Sequence, residues 1–417
     1  MRHLAWFVAR RYLASRRKGR FLSAITLIAV GGIAVGVMAL MVVIAVMTGL
    51  QRDLQAKILG TTPHIYVFQQ NMGFRLGGWE RVLEQVRQVP GVTAAEPFMQ
   101  TNVAVTLQET GGAYAEAGVL YGIDPHASRQ PLTDIERQIR AGELSLAPSA
   151  AGLPGLLMGA RLAEKLGVFT GDTVVVATLE NIHQTPTGFM PALRQFAVTG
   201  TFRTGMYEYD LSHMYGELAE VQSFLDLPPD TVSGIAVNIS DPWRAEQVAN
   251  QVRQAIDFPY YTWSWMALNG SLFSALKLEK LAMAVILSLI VLVAAFNIVS
   301  TLIMVVRDKT REIGILKSMG MTDETVLRIF VLQGVAVGVI GTALGTAGGL
   351  LLIALQNRYQ LVKLSGEVYF IEQLPAVLDW VDAALIVGIS LLIAFGATIY
   401  PARQAARLVP VDAIRHE

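Results

Sequence analysis

The chain has 417 residues, no cysteine, and 33 basic against 33 acidic side chains. Only 16% of its residues are charged, compared with about 25% in an ordinary soluble protein, and 53% are hydrophobic. This composition indicates a membrane protein and excludes a disulfide scaffold, thiol catalysis and a disordered chain, while the zero net charge argues against a nucleic-acid partner.

Residues 1–20 are strongly basic, with seven Arg or Lys side chains and no acidic one. Within 2–17, five apolar side chains fall on one side of a helix: Leu4, Phe7, Val8, Tyr12 and Leu13. We expect a cytoplasmic amphipathic elbow helix that lies on membrane lipid, with its arginines at anionic headgroups. A simple charge cluster that directs membrane insertion is the alternative.

Four segments contain no charged residue: 21–51, 281–306, 329–357 and 383–402. A helix rises about 1.5 Å per residue and the hydrocarbon core is about 30 Å thick, so each segment is long enough to cross a bilayer. No ionisable side chain lies in the middle of any span, which disfavours a proton relay or an ion-coupled carrier. The energy for any transport is therefore expected from another subunit.

The distribution of charge predicts the orientation of these spans. The loop 307–328 holds five basic residues and the tail three, whereas segment 48–279 holds 15 basic and 23 acidic residues. By the positive-inside rule, both termini and that loop are cytoplasmic and the large segment lies outside, which in a Gram-negative bacterium means the periplasm. The predicted organisation is an elbow helix 1–20, span 21–47, outer domain 48–279, span 280–306, cytoplasmic loop 307–328, span 329–357, outer loop 358–382, span 383–401 and cytoplasmic tail 402–417.

Segment 48–279 mixes helix and strand patterns. We predict strands near 65–68, 103–107, 117–123, 173–176, 194–202 and 232–239, and helices near 79–89, 155–166, 216–226 and 241–256. The fold class is an α-helical membrane protein with four transmembrane helices plus a large α+β periplasmic domain between the first and second helices.

A proline-flanked stretch interrupts this domain. Pro186 and Pro191 enclose Gly188, Phe189 and Met190, so we expect regular structure to stop there. A pre-ordered loop with an apolar tip is suited to bind a partner at low entropy cost. An ordinary hairpin with a buried tip is the alternative.

We predict no catalytic residue, no metal site and no cofactor, and hence no enzyme. The chain contains neither a phosphate-binding Gly-x-x-x-x-Gly-Lys-Ser/Thr loop nor a His-Glu-x-x-His metal motif. Glu208, Asp210 and His213 lie close enough in sequence to be considered as metal ligands, but a polar surface is the better interpretation.

The loop 307–328 contains a short helical pattern. Ile313, Leu316 and Met319 recur at helical spacing beside the polar Arg311, Glu312 and Lys317, and Gly320 marks a helix end. Such a helix between two spans is suited to dock in a partner's groove and to transmit force. A helix resting on lipid is the alternative.

Glycines recur at intervals of four in two spans. Gly32 and Gly36 lie in the first span, and Gly341, Gly345 and Gly349 lie in the third. Small residues at this spacing predict close helix packing, and a sliding or hinging surface is the alternative.

Two motifs give a family resemblance. Arg-Glu-Ile-Gly-Ile-Leu-Lys-Ser-Met-Gly at 311–320 and Tyr-Pro-Ala-Arg-Gln-Ala-Ala-Arg at 400–407 resemble the permease domain shared by bacterial cell-division, macrolide-export and lipoprotein-release ABC systems. The N-terminal Phe-Val-Ala-Arg-Arg-Tyr-Leu at 7–13, the stretch 186–196 and Gly-Met-Tyr-Glu-Tyr-Asp at 205–210 are similar to one branch, the lipoprotein-releasing permeases LolC and LolE.

This resemblance implies an inner-membrane permease subunit that pairs with a second permease, homologous or identical, above LolD-like cytoplasmic ATPases. It implies that a triacylated lipoprotein is extracted from the membrane and handed to a LolA-like periplasmic carrier. The carrier would bind a hook formed by Pro186, Gly188, Phe189, Met190, Pro191, Arg194 and Phe196. The ATPase would contact a coupling helix through Arg311, Glu312, Ile313, Leu316, Lys317, Met319 and Gly320.

Two other functions within the resemblance remain open. One is an export permease whose outer domain transmits motion to a periplasmic tunnel, although such proteins usually carry their own ATPase and this chain does not. The other is a cell-division-type signal coupler that activates an external hydrolase, which would not need an apolar hook.

Overall fold

A computed structural model describes residues 20–70, 75–108, 114–124, 133–149, 151–185, 188–362 and 374–409. The predicted elbow helix, Pro186 and the end of the tail lie outside this part of the chain. The helices are α1 Arg20–Thr61, α2 Trp79–Arg87, α3 Ala160–Leu166, α4 Tyr207–Ser212, α5 Leu218–Phe224, α6 Ala245–Ile256, α7 Trp265–Leu268, α8 Gly270–Asp308, α9 Thr310–Ser318, α10 Asp323–Tyr359 and α11 Trp380–Ala406.

The strands are β1 Ile65–Gln69, β2 Leu76–Gly77, β3 Val92–Leu107, β4 Glu116–Ile123, β5 Ile139–Gly142, β6 Gly155–Gly159, β7 Thr173–Thr185, β8 Gly188–Phe202, β9 His213–Glu217, β10 Thr231–Val232, β11 Gly234–Ile239 and β12 Tyr260–Ser264. The chain divides into two units: one holds the long apolar helices, and the other is Asp53–Ala275.

Four helices in the described part of the chain are long and apolar enough to cross a membrane: α1, α8, α10 and α11. Each includes one of the charge-free segments. In lipid no water is present to hydrogen-bond the backbone N–H and C=O groups, so an apolar segment satisfies them within its own helix. Thr322 and Asp379 cap the starts of α10 and α11, where their side chains accept hydrogen bonds from the backbone N–H groups of Thr325 and Val381.

Glycines of α10 bring it into close contact with two other spans. An added Cβ at Gly345 would lie 2.5 Å from the carbonyl oxygen of Ala34 in α1, and one at Gly338 would lie 2.4 Å from the Cβ of Ala394 in α11. Both distances are shorter than van der Waals contact allows. An added Cβ at Gly341 or Gly349 would also crowd α1, and one at Gly32 of α1 would crowd Asn297 of α8. An added Cβ at Gly36 would lie at ordinary contact distance from Ile290. Small side chains therefore set the spacing of these helices.

The second unit contains one large mixed sheet with two cores. Its strand order is β12-β1-β11-β3-β4-β9-β6-β8-β5, and β7 pairs with both β3 and β8. Strand β3 is shared, because Val92–Phe98 pairs with β11 and Met99–Leu107 pairs with β4 and β7. The six strands β3, β4, β9, β6, β8 and β7 therefore close into a ring of backbone pairing.

We call the two halves of this unit lobe one and lobe two. In lobe one, β1, β11 and β12 bury one face against α2 and α6, around Val82, Val252 and Trp265. In lobe two, the ring of strands packs around Phe196, Leu156 and Met158 with α3 and α5 against it. Alternating apolar residues along the strands account for both cores, since successive side chains point to opposite faces.

Two local predictions are wrong. The predicted helix 155–166 begins only at Ala160, because residues 155–159 form the fully buried strand β6 between β8 and β9. The break expected around 186–191 does not extend over residues 188–191, which belong to strand β8. Strands β7 and β8 pair from Thr173 with Ala197 to Thr185 with Gly188, through a register shift between Thr178 and Ile182.

Candidate functional site

The hairpin of β7 and β8 has an exposed apolar end. Phe189 is 77% exposed and Met190 is 46% exposed, and Leu193, Leu179 and Ile182 are exposed as well. Alternation along β8 puts Phe189, Pro191 and Leu193 on one face, and the register adds Ile182, which pairs with Pro191. Met190 lies on the opposite face of the same strand and is exposed at its end. We call these four residues together with Met190 the hairpin tip surface. An exposed contiguous apolar patch is typical of a protein-binding site.

The base of the hairpin is fixed to lobe two. Arg194 forms an ion pair with Glu220 and donates a hydrogen bond to the Glu220 backbone carbonyl over 3.2 Å. Phe196 is fully buried and meets the ring of Phe224 edge-on at 6.3 Å. This corrects the expectation for Phe196: it lies in the core and offers no surface to a partner, and with Arg194 it holds the hairpin in place.

The loop helix α9 is anchored on its buried face. Ile313 is 2% exposed and packs in a cluster with Val306 of α8, Phe330 of α10 and Ala402 of α11. The helix ends at Ser318, and Gly320 shortly after it has a φ of +96°, the left-handed conformation that favours glycine. Three spans therefore meet under one short helix, so its orientation follows theirs.

The outer face of α9 carries both charge and apolar surface. Arg311 and Glu312 are exposed, and Met319, just past the last residue of the helix, is 79% exposed. Lys309 forms an ion pair with Glu312 at 2.6 Å. Ile315 is also exposed, and sequence reasoning missed it. Ile315 and Met319 are four positions apart, and residues at this spacing lie on the same face of a helix. That spacing could have predicted Ile315 as part of the outer face of α9.

Lys317 does not belong to that outer face. Its ammonium donates hydrogen bonds to the backbone carbonyls of Ala406 over 2.7 Å and Leu408 over 2.8 Å, and pairs with Asp323 at 2.8 Å. A cation at the carbonyl end of a helix is stabilising. Lys317 therefore ties α9 to the end of α11, and Leu316 is half-buried beside it.

The group Glu208, Asp210 and His213 has a structural explanation. Asp210 is buried, and its carboxylate accepts hydrogen bonds from the N–H and hydroxyl of Thr204 and from the N–H of Gly205. Burial raises the pKa of Asp210, although these hydrogen bonds oppose the rise. His213 stacks between Tyr209 and Tyr121, with ring centroids 4.2 and 5.2 Å away. Within the described residues, no cluster of His, Asp and Glu has the arrangement of a metal site.

Two family models match different parts of the chain. Residues 26–255 match the MacB-like periplasmic core domain, and residues 284–410 match the FtsX-like permease C-terminal family. The second match includes α9, α10 and α11, and the first includes the hairpin tip surface.

Full-length relatives cover nearly the whole chain. The lipoprotein-releasing system transmembrane protein LolC of Xylella fastidiosa (strain Temecula1) is 32% identical over 98% of this chain and 97% of its own length. LolC of Neisseria meningitidis serogroup B is 34% identical over 99% of both chains. The lipoprotein-releasing system transmembrane protein LolE of Haemophilus influenzae is 27% identical over 98% of both.

Proposed function

We propose that this chain, which belongs to the LolC/LolE family of lipoprotein-releasing system transmembrane proteins, is the permease subunit of an ATP-driven lipoprotein-releasing ABC transporter of the bacterial inner membrane. It extracts lipoproteins destined for the outer membrane and passes them to a periplasmic carrier. The observation that carries this proposal is that one multi-pass chain has two exposed surfaces suited to bind partners, namely the outer face of α9 and the hairpin tip surface.

The need for an external energy source is supported by the spans themselves. Their cores carry no ionisable side chain, so an ion gradient has no group to act on. Burying an acyl chain is worth about 0.8 kcal/mol per CH₂, so removal of a triacylated anchor from lipid costs more than thermal motion supplies. We infer that a LolD-like ATPase performs the hydrolysis and that this subunit is itself non-catalytic.

The ATPase contact is proposed for α9. Ile313 packs on three spans while Arg311, Glu312, Ile315 and Met319 remain exposed. A partner that pushes on this outer face therefore moves the ends of the spans rather than a loose loop. A second permease subunit, homologous or identical, completes the transporter.

The carrier contact is proposed for the hairpin tip surface, which would bind a LolA-like protein. A rigid ribbon presenting Phe189 and Met190 loses little conformational entropy on binding. The charge distribution supports cytoplasmic termini and a periplasmic 48–279 segment. Protease treatment of intact spheroplasts tests that orientation, since it should cleave 48–279 and spare the loop 307–328.

Reconstitution tests the function directly. Proteoliposomes containing the chain, its ATPase, the second permease and a triacylated lipoprotein should release the lipoprotein into the supernatant when ATP and the carrier are added. Leaving out the ATPase is the control and should abolish release. Hydrolysis of ATP without any release of lipoprotein, in a fully assembled complex, would refute the proposal.

A further inference from the structure

A cavity of about 270 Å³ lies within the Asp53–Ala275 unit, between lobe one and lobe two. This volume is near the lower end of small-molecule sites, which start at about 300 Å³. The residue Thr61 at the end of α1 also lines it. We call it the tyrosine cavity. Its aromatic lining consists of Tyr66, Phe98, Tyr121, Tyr209, His213 and Tyr215.

The rings of the tyrosine cavity form a connected set. His213 stacks on Tyr209 and on Tyr121, and Tyr121 stacks on Tyr215 at a centroid distance of 5.6 Å. On the opposite wall, Tyr66 meets Phe98 edge-on at 5.4 Å. Aromatic faces carry a negative potential that attracts cations. The stacking fixes these rings, so the cavity is formed before any ligand arrives.

The tyrosine hydroxyls that line the cavity are available to a ligand. Within the part of the chain that the structure describes, the hydroxyl groups of Tyr66, Tyr121, Tyr209 and Tyr215 make no hydrogen bond. Tyr215 is only 7% exposed. A tyrosine hydroxyl that lines a cavity can donate a hydrogen bond to a ligand or to solvent there, and can accept one.

The charge of the lining favours a cation. Burial lowers the pKa of His213 to about 4, so this ring is neutral at neutral pH and does not repel one. Burial raises the pKa of Tyr66 and Tyr215, so both keep their protons. Lysine and arginine are absent from the described lining. Its carboxylates are Glu96, Asp124 and Glu136, of which Glu96 and Asp124 have other partners in the protein.

We propose that the tyrosine cavity binds a small organic ammonium ion of about the size of choline. The cation lies against the ring faces, the exposed carboxylate of Glu136 supplies the opposite charge, and the tyrosine hydroxyls donate hydrogen bonds to the rest of the ligand or accept them from it. Cation–π contact with several rings is how proteins recognise quaternary ammonium groups. The ligand bridges the two lobes, since Tyr66 and Tyr121 come from different ones.

Titration of the full chain tests this proposal. Isothermal calorimetry in maltoside micelles, which contain no ammonium headgroup, compares choline with its neutral isostere dimethylbutanol. We expect saturable choline binding that is at least about tenfold tighter than binding of the alcohol. Equal affinity for the two compounds, or no saturable choline binding at millimolar concentration, would overturn it.

Variants locate the binding. Tyr121→Leu removes one ring face and should weaken choline binding about tenfold, whereas Tyr121→Phe keeps the face and should change it little. Phe169→Leu removes an exposed ring elsewhere in the same unit and serves as the control.

Because Tyr121→Leu can disturb packing, Glu136→Gln, at an exposed lining carboxylate, provides a second test and should weaken binding about threefold. Unchanged affinity in a folded Tyr121→Leu or Glu136→Gln protein contradicts the proposal.

The source of the cation is resolved by lipid composition. Nanodiscs of phosphatidylcholine and of phosphatidylglycerol present the same protein with and without a quaternary ammonium headgroup. Weaker apparent choline binding in phosphatidylcholine discs supports a cavity that takes lipid headgroups. Equal choline binding in both discs supports a cavity for a free cation.

Discussion

Lys317 donates a hydrogen bond from its ammonium to the backbone carbonyl oxygen of Ala406 over 2.7 Å. This contact joins the loop helix between the second and third spans to the last turn of the fourth. Ile313 adds an apolar contact at the same place. The loop helix is therefore part of the span bundle, and a force applied to it reaches three spans at once.

Lys317→Met should loosen this junction. The substitution keeps the apolar stem but leaves the carbonyls of Ala406 and Leu408 without their charged donor, and we expect a loss of about 2 kcal/mol in the free energy of unfolding. The measurement is the thermal unfolding midpoint of the full chain in detergent. Arg328→Met is the control, because among the described residues Arg328 forms an ion pair only with the exposed Glu324. Equal midpoints for both variants would show that the junction contributes nothing.

Glu312→Lys should separate ATP hydrolysis from lipoprotein release. Glu312 is half exposed and its ion pair with Lys309 is worth little, so the fold should survive the charge reversal while the face offered to the ATPase changes sign. Hydrolysis and release are measured together in proteoliposomes, and we expect release to fall at least about tenfold relative to hydrolysis. Glu324→Lys, a reversal at the start of the next helix, is the control. Normal release by the Glu312 variant would count against the proposed contact.

The described part of the chain contains four long apolar helices where the sequence has charge-free segments, because such segments have few alternatives in lipid. The sequence also identified the glycines of α10, since a spacing of four places them on one helix face. Around Pro191, however, local propensity was misleading. Beyond the register shift at Ile182 the hairpin is a two-stranded ribbon with open outer edges, where a proline is tolerated.

The roles of individual side chains were harder to predict. In the sequence, Lys317 and Glu312 are both polar residues of one amphipathic pattern. In the structure, Lys317 donates a hydrogen bond to the backbone carbonyl of Ala406, about ninety positions later in the chain. Phe196 was assigned to the partner surface because it ends the motif, although strand alternation buries it in lobe two. The aromatic side chains of the tyrosine cavity come from four separate strands and a helix, and no local sequence pattern predicts that they meet.

Gly345→Ala should destabilise the span bundle. Its Cβ would lie 2.5 Å from the carbonyl oxygen of Ala34 and 2.7 Å from the Cβ of Val37, so the two helices must separate. We expect a loss of about 1–3 kcal/mol. Gly396→Ala in α11 is the matched control, since its Cβ meets nothing within 4 Å. Unfolding midpoints of the two variants in the same detergent are compared, and a drop of equal size in both would contradict the packing role of Gly345.

Replacing the two apolar residues at the hairpin tip with aspartate should abolish carrier binding. The double variant Phe189→Asp and Met190→Asp puts two charges on the hairpin tip surface, and desolvating them on binding should weaken the affinity at least about a hundredfold. Pull-down of the carrier measures this, and co-purification of the ATPase shows that assembly is intact. Phe169→Asp, at an exposed phenylalanine of the same unit, is the control. Carrier capture by the double variant at the level of the control would refute the hairpin as the binding surface.

His213 should make the stability of the chain depend on pH. Burial lowers its pKa in the folded protein to about 4, below the value of about 6.5 in an unfolded chain, so the unfolded state binds the extra proton first as the pH falls. The stabilising contribution of neutral His213 is therefore complete above about pH 6.5 and is lost progressively towards pH 4. Between about pH 7 and pH 5 the loss should be about 1–2 kcal/mol.

His213→Phe isolates this effect, because phenylalanine keeps the stacking on Tyr121 and Tyr209 and removes the titrating group. Thermal unfolding of the full chain is followed at several pH values, and the variant should show a shallower decline on acidification than the unsubstituted chain. His183→Gln, at an exposed histidine of the hairpin, should leave the decline as it is. If the unsubstituted chain and His213→Phe lose stability in parallel as the pH falls, the buried histidine is not the source of the pH dependence.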